Sequence, residues 1–531
     1  MKTKKKYTVI LSVLGILQIV FALGIPLLSK YLLEAAQEVS SNNDKLDKIY
    51  LLAGIMLGCL LLTIIVKVFS NMLYGSFSVK RERELKAELY DTFINKEITE
   101  LKSFHSGEIE QLFHSDIVNV VRVELDTWPT IVRQVARLVL SAALLLYIDW
   151  KFLIFLLVCG ILGFGFAKIY SKIIKPHHKR VLETDGEANS FLVESANQLK
   201  LIQAYGANPY ASEYYNKLND LAANEKRKRN VIMYGANSGI FGFSNIIYVL
   251  ALCYGAIFIA KGDLTYGSLL AMVQLLNNIQ SPLLSMSSLL SRLTLGKTSK
   301  TRIDDIYKLD NIKPSMVIDS FDSIEFNNVS FTYDNERYIL KDFNLVINKG
   351  DTILFSGPSG IGKTTLFMLL LGFIKPTNGT INIKYNDKVI PISSSTRSLF
   401  SYVPQENIIF SGSIKDNLYI LTGKNEEEII EALKKANVYD EVMNLPDGIN
   451  TKLGERGNGL SLGQIQRILI AASILKNNQI LLLDEFSSAL DEANEDSIIN
   501  NIKNMNKTII YITHRTKRLE NQRVVTLNEI K

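Results

Sequence analysis

The run Gly357-Pro358-Ser359-Gly360-Ile361-Gly362-Lys363-Thr364 has the spacing G-x-x-x-x-G-K-[ST]. Glycines at those points let a loop close round a phosphate with its N–H groups turned inward. Lys363 can reach the outer phosphates of a nucleotide, and the Thr364 hydroxyl can ligand Mg2+. The flanks suit such a loop. Thr352 to Ser356 reads as a buried strand, and Thr365 onward reads as a helix start, whose N-terminus adds partial positive charge. A second group follows about 120 residues later, where the apolar strand Ile480 to Leu483 ends in Asp484 and Glu485. Asp484 can hold Mg2+ through water, and Glu485 can take a proton from an attacking water or orient it. Alone, such a pair also reads as a strand-end cap. After a phosphate loop it reads as phosphoryl-transfer chemistry.

The elements that must position these residues occupy less than half the chain. Of 531 residues, 47% are hydrophobic and 21% charged. These figures reconcile if the two halves differ, with long apolar runs before about residue 320 and a soluble α/β pattern after it. The expected domains are a membrane domain at 1–300, a linker at 301–320 and a nucleotide domain at 321–531. The wider stretch 293–320 reads as a polar linker. The net charge of +6 is spread along the chain with clusters beside apolar runs. Nucleic-acid binding is not expected from that distribution. Cys59, Cys159 and Cys253 all fall in apolar runs without metal-ligand spacing and read as small buried hydrophobes.

Six segments approach the ~20 residues needed to cross a bilayer: 7–28, 50–69, 130–148, 152–170, 235–260 and 269–289. The first is too long for a signal-peptide core, so it reads as a retained span. Lys2, Lys4, Lys5 and Lys6 place the N-terminus in the cytoplasm. Basic residues from Lys80 to Lys102 and from Lys172 to Arg229 place the two long loops there as well. Phe77 to Asn95 and Glu183 to Ala204 keep helical periodicity, so the membrane helices are expected to run on into the cytoplasm and turn back. The turns fall near 104–116 and 197–207. Arg133 and Arg137 share one face of the third span. They either attract an anionic group or sit below the bilayer paired with neighbours, and the second reading is preferred. Lys67 and Arg292, near span ends, read as snorkelling side chains.

Between the phosphate loop and the carboxylates lies Leu460-Ser461-Leu462-Gly463-Gln464. This pentapeptide resembles the Leu-Ser-Gly-Gly-Gln signature of ATP-binding cassette (ABC) ATPases, with Leu462 in place of the first glycine. Further segments resemble that family in order. Val403-Pro404-Gln405 is similar to the Q-loop, and Thr451 to Gly457 to the loop before the signature. Ser488 to Asp491 is similar to the D-loop, and Ile512-Thr513-His514 to the switch histidine. Tyr333 sits where the family stacks a ring on adenine. Asp149-Trp150 and Ser106-Gly107-Glu108 resemble the membrane half. The whole chain looks like a half-size ABC exporter, an α-helical membrane domain of six helices fused to an α/β phosphate-loop NTPase.

That resemblance implies ATP and Mg2+ as cofactors. Thr364, Gln405 and Asp484 would hold the metal, and Glu485 and His514 would act in catalysis. Gly357 to Thr365, Tyr333, Gln405, Ser461, Gly463, Gln464, Asp484 and Asp491 would bind the nucleotide. Ser461 and Gly463 would serve the site of a second chain, so a homodimer is expected, with a heterodimer as the alternative. The implied location is a bacterial cytoplasmic membrane with the nucleotide domain inside, and abundant Lys, Asn and Ile fit an AT-rich bacterial genome. A small peptide is the expected cargo. Alternatives are a lipid flippase, a multidrug exporter of amphipathic molecules, or an ATP-gated channel or regulatory subunit. An importer is disfavoured because its membrane and ATPase parts are usually separate chains. The sequence as given carries no peptidase segment before the first span, so leader trimming is not expected of it.

Overall fold

A computed structural model describes the chain apart from residues 1, 40–45, 102–103, 105, 317, 319, 335–336, 359, 407–408, 455–456, 487–496, 499–500, 514–521 and 528–531. Its contacts divide it into two units, residues 1–90 with 109–305, and residues 91–108 with 306–531.

The first unit is helical. In chain order come α1 (Lys2–Val39), α2 (Leu46–Ile94), α3 (Ile98–Leu101), α4 (Ser106–Gln111), α5 (Ile117–Arg122), α6 (Trp128–Ile148), α7 (Trp150–Asn197), α8 (Leu199–Ala204), α9 (Asn208–Ala260) and α10 (Tyr266–Lys308). α3 and the start of α4 lie in the 91–108 segment that belongs to the second unit. Each of the six apolar segments lies inside one long helix. Among the described residues, four helical stretches are long and apolar enough to cross a membrane: Lys5–Glu38, Leu46–Ile94, Gly107–Ile148 and Asn208–Ala260, with mean hydropathy from 1.7 to 2.7. In α7 the qualifying apolar stretch is the shorter Trp150–Leu162. α10 carries Gln274, Asn277, Asn278 and Gln280 among its apolar residues.

Helices α4, α5 and α6 form one rod interrupted by two π-helical turns, Leu112–Asp116 and Val123–Thr127. Each turn places one extra residue on the rod and re-aims the side chains beyond it. Asp116 is fully buried there and accepts hydrogen bonds from Ser299 and Arg302 on α10, both at 2.6 Å. In the apolar half, Ile19, Leu145, Phe152, Ile247, Ala251, Met272, Leu275 and Leu276 pack together from five helices. Asp149 starts α7 by accepting from the backbone N–H of Lys151 and Phe152, and Tyr254 donates to its other oxygen at 2.7 Å. That is the physical use of the acidic residue between the third and fourth spans. Cys59 and Cys159 are half-buried and Cys253 is exposed on the apolar part of α9.

The polar stretch after residue 293 begins as helix. α10 continues through it to Lys308, with Ser299 and Arg302 turned to Asp116, while Thr294, Lys297, Thr298 and Thr301 are exposed and look like a loop by polarity alone.

The second unit is α/β. Its strands are β1 (Ser323–Thr332), β2 (Tyr338–Asn348), β3 (Thr352–Ser356), β4 (Asn378–Tyr385), β5 (Lys388–Pro391), β6 (Phe400–Val403), β7 (Gly412–Ser413), β8 (Lys452–Leu453), β9 (Ile480–Asp484), β10 (Thr508–Ile512) and β11 (Arg523–Thr526). Its helices are α11 (Lys363–Leu370), α12 (Ile414–Thr422), α13 (Glu426–Lys435), α14 (Tyr439–Met443) and α15 (Leu462–Lys476). β2-β1-β4-β5 form an antiparallel sheet, and β11-β3-β10-β9-β6 form a parallel one. Alternation divides the parallel strands between two cores. Ile480, Leu482, Ile510 and Ile512 face the α11 side with Leu366 and Phe367, while Leu481, Leu483, Ile509 and Tyr511 face α12, α13 and α15. Both faces are covered, which is why these strands are apolar throughout.

Candidate functional site

The phosphate loop leaves β3 at Ser356 and enters α11 at Lys363. Gly362 has φ +103° and sits so close to Ile339 that an added Cβ would lie 2.2 Å from its Cγ2. Both facts require glycine. Lys363 is 6% exposed, and its Nζ donates to the carbonyls of Gly357 at 2.8 Å and Pro358 at 2.9 Å. The ammonium therefore lies folded over its own loop. Tyr333 is exposed, its ring set edge-on to Phe331 and its hydroxyl 3.4 Å from the Thr365 hydroxyl.

The acidic pair reaches this loop through sheet order. β9 is separated from β3 by β10, and all three run parallel, so their C-terminal ends open on one edge of the sheet. Parallel sheets bind ligands at that edge. Asp484 is fully buried, and neither carboxylate oxygen has a hydrogen-bond partner. Burial pushes its carboxyl up to about 6, and Glu485 adds to the rise, while Thr364 and Lys363 oppose it. Those influences place Thr364, Lys363, Asp484 and Glu485 in one neighbourhood. A buried carboxylate whose neighbouring donors among the described residues are the Thr364 hydroxyl and the Lys363 ammonium, neither in bonding geometry, fits a cation.

Glu485 adopts φ +49°, in the left-handed region. Its N–H donates to Ile512 O at 3.0 Å, and its carbonyl accepts from Gln466 Nε2 at 3.1 Å. This pinned, sparsely populated backbone turns the side chain away from the strand. Gln405, two residues beyond β6, donates from Nε2 to Glu485 Oε2 at 2.8 Å. Ser359, Asp491 and His514 lie outside the described residues, as do Lys102, His105, Glu455, Arg456 and the rest of 488–491.

The signature-like segment starts α15. Ser461 Oγ accepts from the N–H of Gln464 at 3.2 Å, and Gln464 Oε1 accepts from the N–H of Ser461 at 2.9 Å. This reciprocal cap explains the spacing of serine and glutamine. Leu462 is the first helical residue and is 63% exposed. No left-handed conformation is needed there, so leucine is accommodated. Gln464 Nε2 and Arg467 both donate to Glu441, at 2.9 and 2.8 Å, fixing the start of α15 to α14. Sequence reasoning passed over Arg467 and Gln466. Their only signal was a polar residue at six and five positions past Ser461, on an otherwise apolar helix.

Sequence reasoning also passed over the 91–108 segment as part of this unit. Lys96 is buried and donates to the carbonyls of Tyr307 and Leu309 at the C-terminal end of α10. Glu97 accepts from Ser394 at 2.6 Å and from Arg397 at 3.4 Å. Arg397 also donates to the carbonyls of Leu371 and Gly372 and lies over the Phe373 ring.

A parallel sheet carrying a phosphate loop, a paired carboxylate and a capped signature-like helix, joined to long apolar helices, defines a nucleotide-hydrolysing membrane protein. The family model described as "ABC transporter transmembrane region" matches residues 8–283, and that described as "ABC transporter" matches residues 340–488. A Rickettsia bellii protein named as an export ATP-binding/permease protein is 31% identical over 490 residues, covering 87% of this chain and 82% of the relative. The alpha-hemolysin translocation ATP-binding protein HlyB of Escherichia coli O157:H7 is 33% identical over 68% of this chain and 53% of its own. The structure of a bacterial Atm1-family ABC exporter with ATP bound has the same fold, with a TM-score of 0.86 at 21% identity over 98% of this chain and 94% of that one. The chain belongs to the ABC transporter family, in the half-size exporter form. It is a multi-pass membrane protein that binds ATP and couples its hydrolysis to export.

Proposed function

We propose that two copies of this chain export a small peptide by alternating access, each round driven by ATP held between their cassettes. The observation that carries the catalytic reading is Asp484, a fully buried carboxylate with both oxygens unpartnered beside Thr364, Lys363 and Glu485. Thr364, Gln405 and Asp484 would hold Mg2+, which neutralises charge on the phosphate oxygens. Glu485 takes the proton of the water that attacks the γ-phosphoryl group, and Gln405, already on its carboxylate, orients it. Lys363 exchanges its two loop carbonyls for phosphate oxygens. Ser461 and Gly463, at the start of a 15-residue helix, face the nucleotide of the partner chain, where N–H groups and the helix dipole favour the γ-phosphate. His514 and Asp491 complete the site by resemblance. The N-terminus and cassette lie in the cytoplasm of a bacterial cell.

The peptide reading is supported by HlyB, a relative named for alpha-hemolysin translocation. The test is comparative mass spectrometry of culture medium and membrane lipids, wild type against Lys363→Ala. A peptide lost from the medium and accumulated inside identifies the cargo. An unchanged peptide profile with altered lipids or drug sensitivity sinks the peptide reading in favour of a flippase or multidrug exporter. A Glu485→Gln variant with full biological function would mean gating without turnover.

A further inference from the structure

Arg137 lies in α6, eleven residues before that helix ends at Ile148. At 1.5 Å per residue this is about 16 Å from the helix end, near the middle of a ~30 Å hydrocarbon layer. None of the six apolar segments contains an aspartate or glutamate. Arg133, one turn earlier, lays its stem on Gly15 of α1 and donates to Thr130 at 3.2 Å; Thr130 in turn bonds Asp126, which also accepts from Arg292. Arg133 is thus led towards a carboxylate at the cytoplasmic end. Arg137 is not. Among the described residues it makes no ion pair, and its Nε is buried without a partner. An arginine at the centre of a span costs about 3 kcal/mol even on the mildest scale.

Its neighbours are incomplete in a complementary way. Gln134, Arg137 and Ser141 recur at helical spacing on α6. Gln134 Nε2 donates to Ser285 on α10 at 3.3 Å, which turns this stripe towards that helix. Gln274, Asn278 and Ser285 share one face of α10 by the same periodicity. Pro282 offers no N–H to the Asn278 carbonyl one turn back. Four buried atoms are left without partners: Arg137 Nε and Ser141 Oγ, which donate, and Gln134 Oε1 and Gln274 Oε1, which accept. Buried polar groups are rarely left so.

We propose that this stripe is the subsite for the C-terminus of an exported apolar peptide. Arg137 and Ser141 take the carboxylate, for which the planar guanidinium is suited. Gln134 and Gln274 accept from the amide N–H groups of the preceding residues. A lipid phosphate satisfies the donors but itself brings no N–H to the two acceptors, and a headgroup ammonium is one donor centre where a peptide offers a row of amides. The proposal rests on the transport reading and names its cargo end.

The test uses the full-length chain in phosphatidylcholine nanodiscs and a fluorescently labelled apolar hexapeptide, with a free C-terminus or a C-terminal amide. The free acid is expected to bind about tenfold tighter than the amide. Arg137→Gln should remove that preference, Arg137→Lys should keep part of it, and retained ATP binding in both shows that they fold. Gln274→Leu should weaken the hexapeptide but not dodecanoic acid, which has a carboxylate and no amide. Equal binding of acid and amide to the wild type, or a preference that survives Arg137→Gln, overturns the proposal. So does displacement of the peptide by dodecyl phosphate with Gln274 irrelevant, which assigns the stripe to lipid phosphate. Failure of the transport reading shows separately, as a persistent carboxylate preference with no ATP-driven peptide uptake into inverted vesicles.

Discussion

Asp484 is the residue at which burial and function pull against each other. Its folded carboxyl titrates at about 6 against an ordinary 3.8, so the folded chain holds a proton that the unfolded chain has released between those values. Stability of the metal-free protein therefore falls as pH rises from about 4 through 6, by about 2–3 kcal/mol. Asp484→Asn should remove this dependence, raise the thermal midpoint at pH 7.5, and abolish Mg2+-dependent nucleotide hydrolysis. Thermal unfolding in detergent from pH 4 to 8 checks it, and a variant no more stable than wild type at pH 7.5 would contradict the argument. In the wild type, Mg2+-dependent ATP binding should weaken below about pH 6, where the carboxylate takes up a proton. The type and order of these residues were legible because phosphate chemistry constrains spacing. The left-handed backbone of Glu485 and its bond to Gln405 were not, since both depend on strands far apart in sequence.

At the scale of elements, helices were easier to read than their ends. Apolar runs marked the six long helices, yet polarity after residue 293 concealed the last turns of α10. The π turns at 112–116 and 123–127 left no trace, because an extra residue in a helix changes no residue type. The fixing of Lys96 and Glu97 to the second unit was equally hidden, as lysine and glutamate in a cytoplasmic loop read as solvated charge. Lys96 in fact closes the C-terminal end of α10. Lys96→Ala should remove two hydrogen bonds at that helix end and cost about 1–3 kcal/mol. Because the bond lies far along the chain from the phosphate loop, basal ATPase should persist while stimulation of the ATPase by peptide is lost. Loss of both activities in a folded variant would contradict this. Arg397→Lys should not restore what Arg397→Ala removes, because a lysine cannot donate to Leu371, Gly372 and Glu97 in fixed directions while lying on Phe373.

For the whole molecule, the decisive expectation is that a working site needs two chains. On the proposed reading Lys363 would belong to one half of each composite site and Ser461 to the other, so the two can be broken separately. Ser461→Asp keeps a side chain that caps α15 but sets a negative charge where a phosphate must lie. Lys363→Ala removes the cation on the opposite side. Co-expressed on a Glu485→Gln background that blocks turnover, the two variants form mixed dimers with one intact site and one doubly broken. Random pairing then leaves about a quarter of the sites intact, since half the dimers are mixed and each keeps one of two. Either variant alone should retain no ATP. If each chain instead built a complete site, mixing would restore nothing, because every chain carries a defect of its own. Retained ATP per chain in the co-purified mixture separates these outcomes without any knowledge of the cargo.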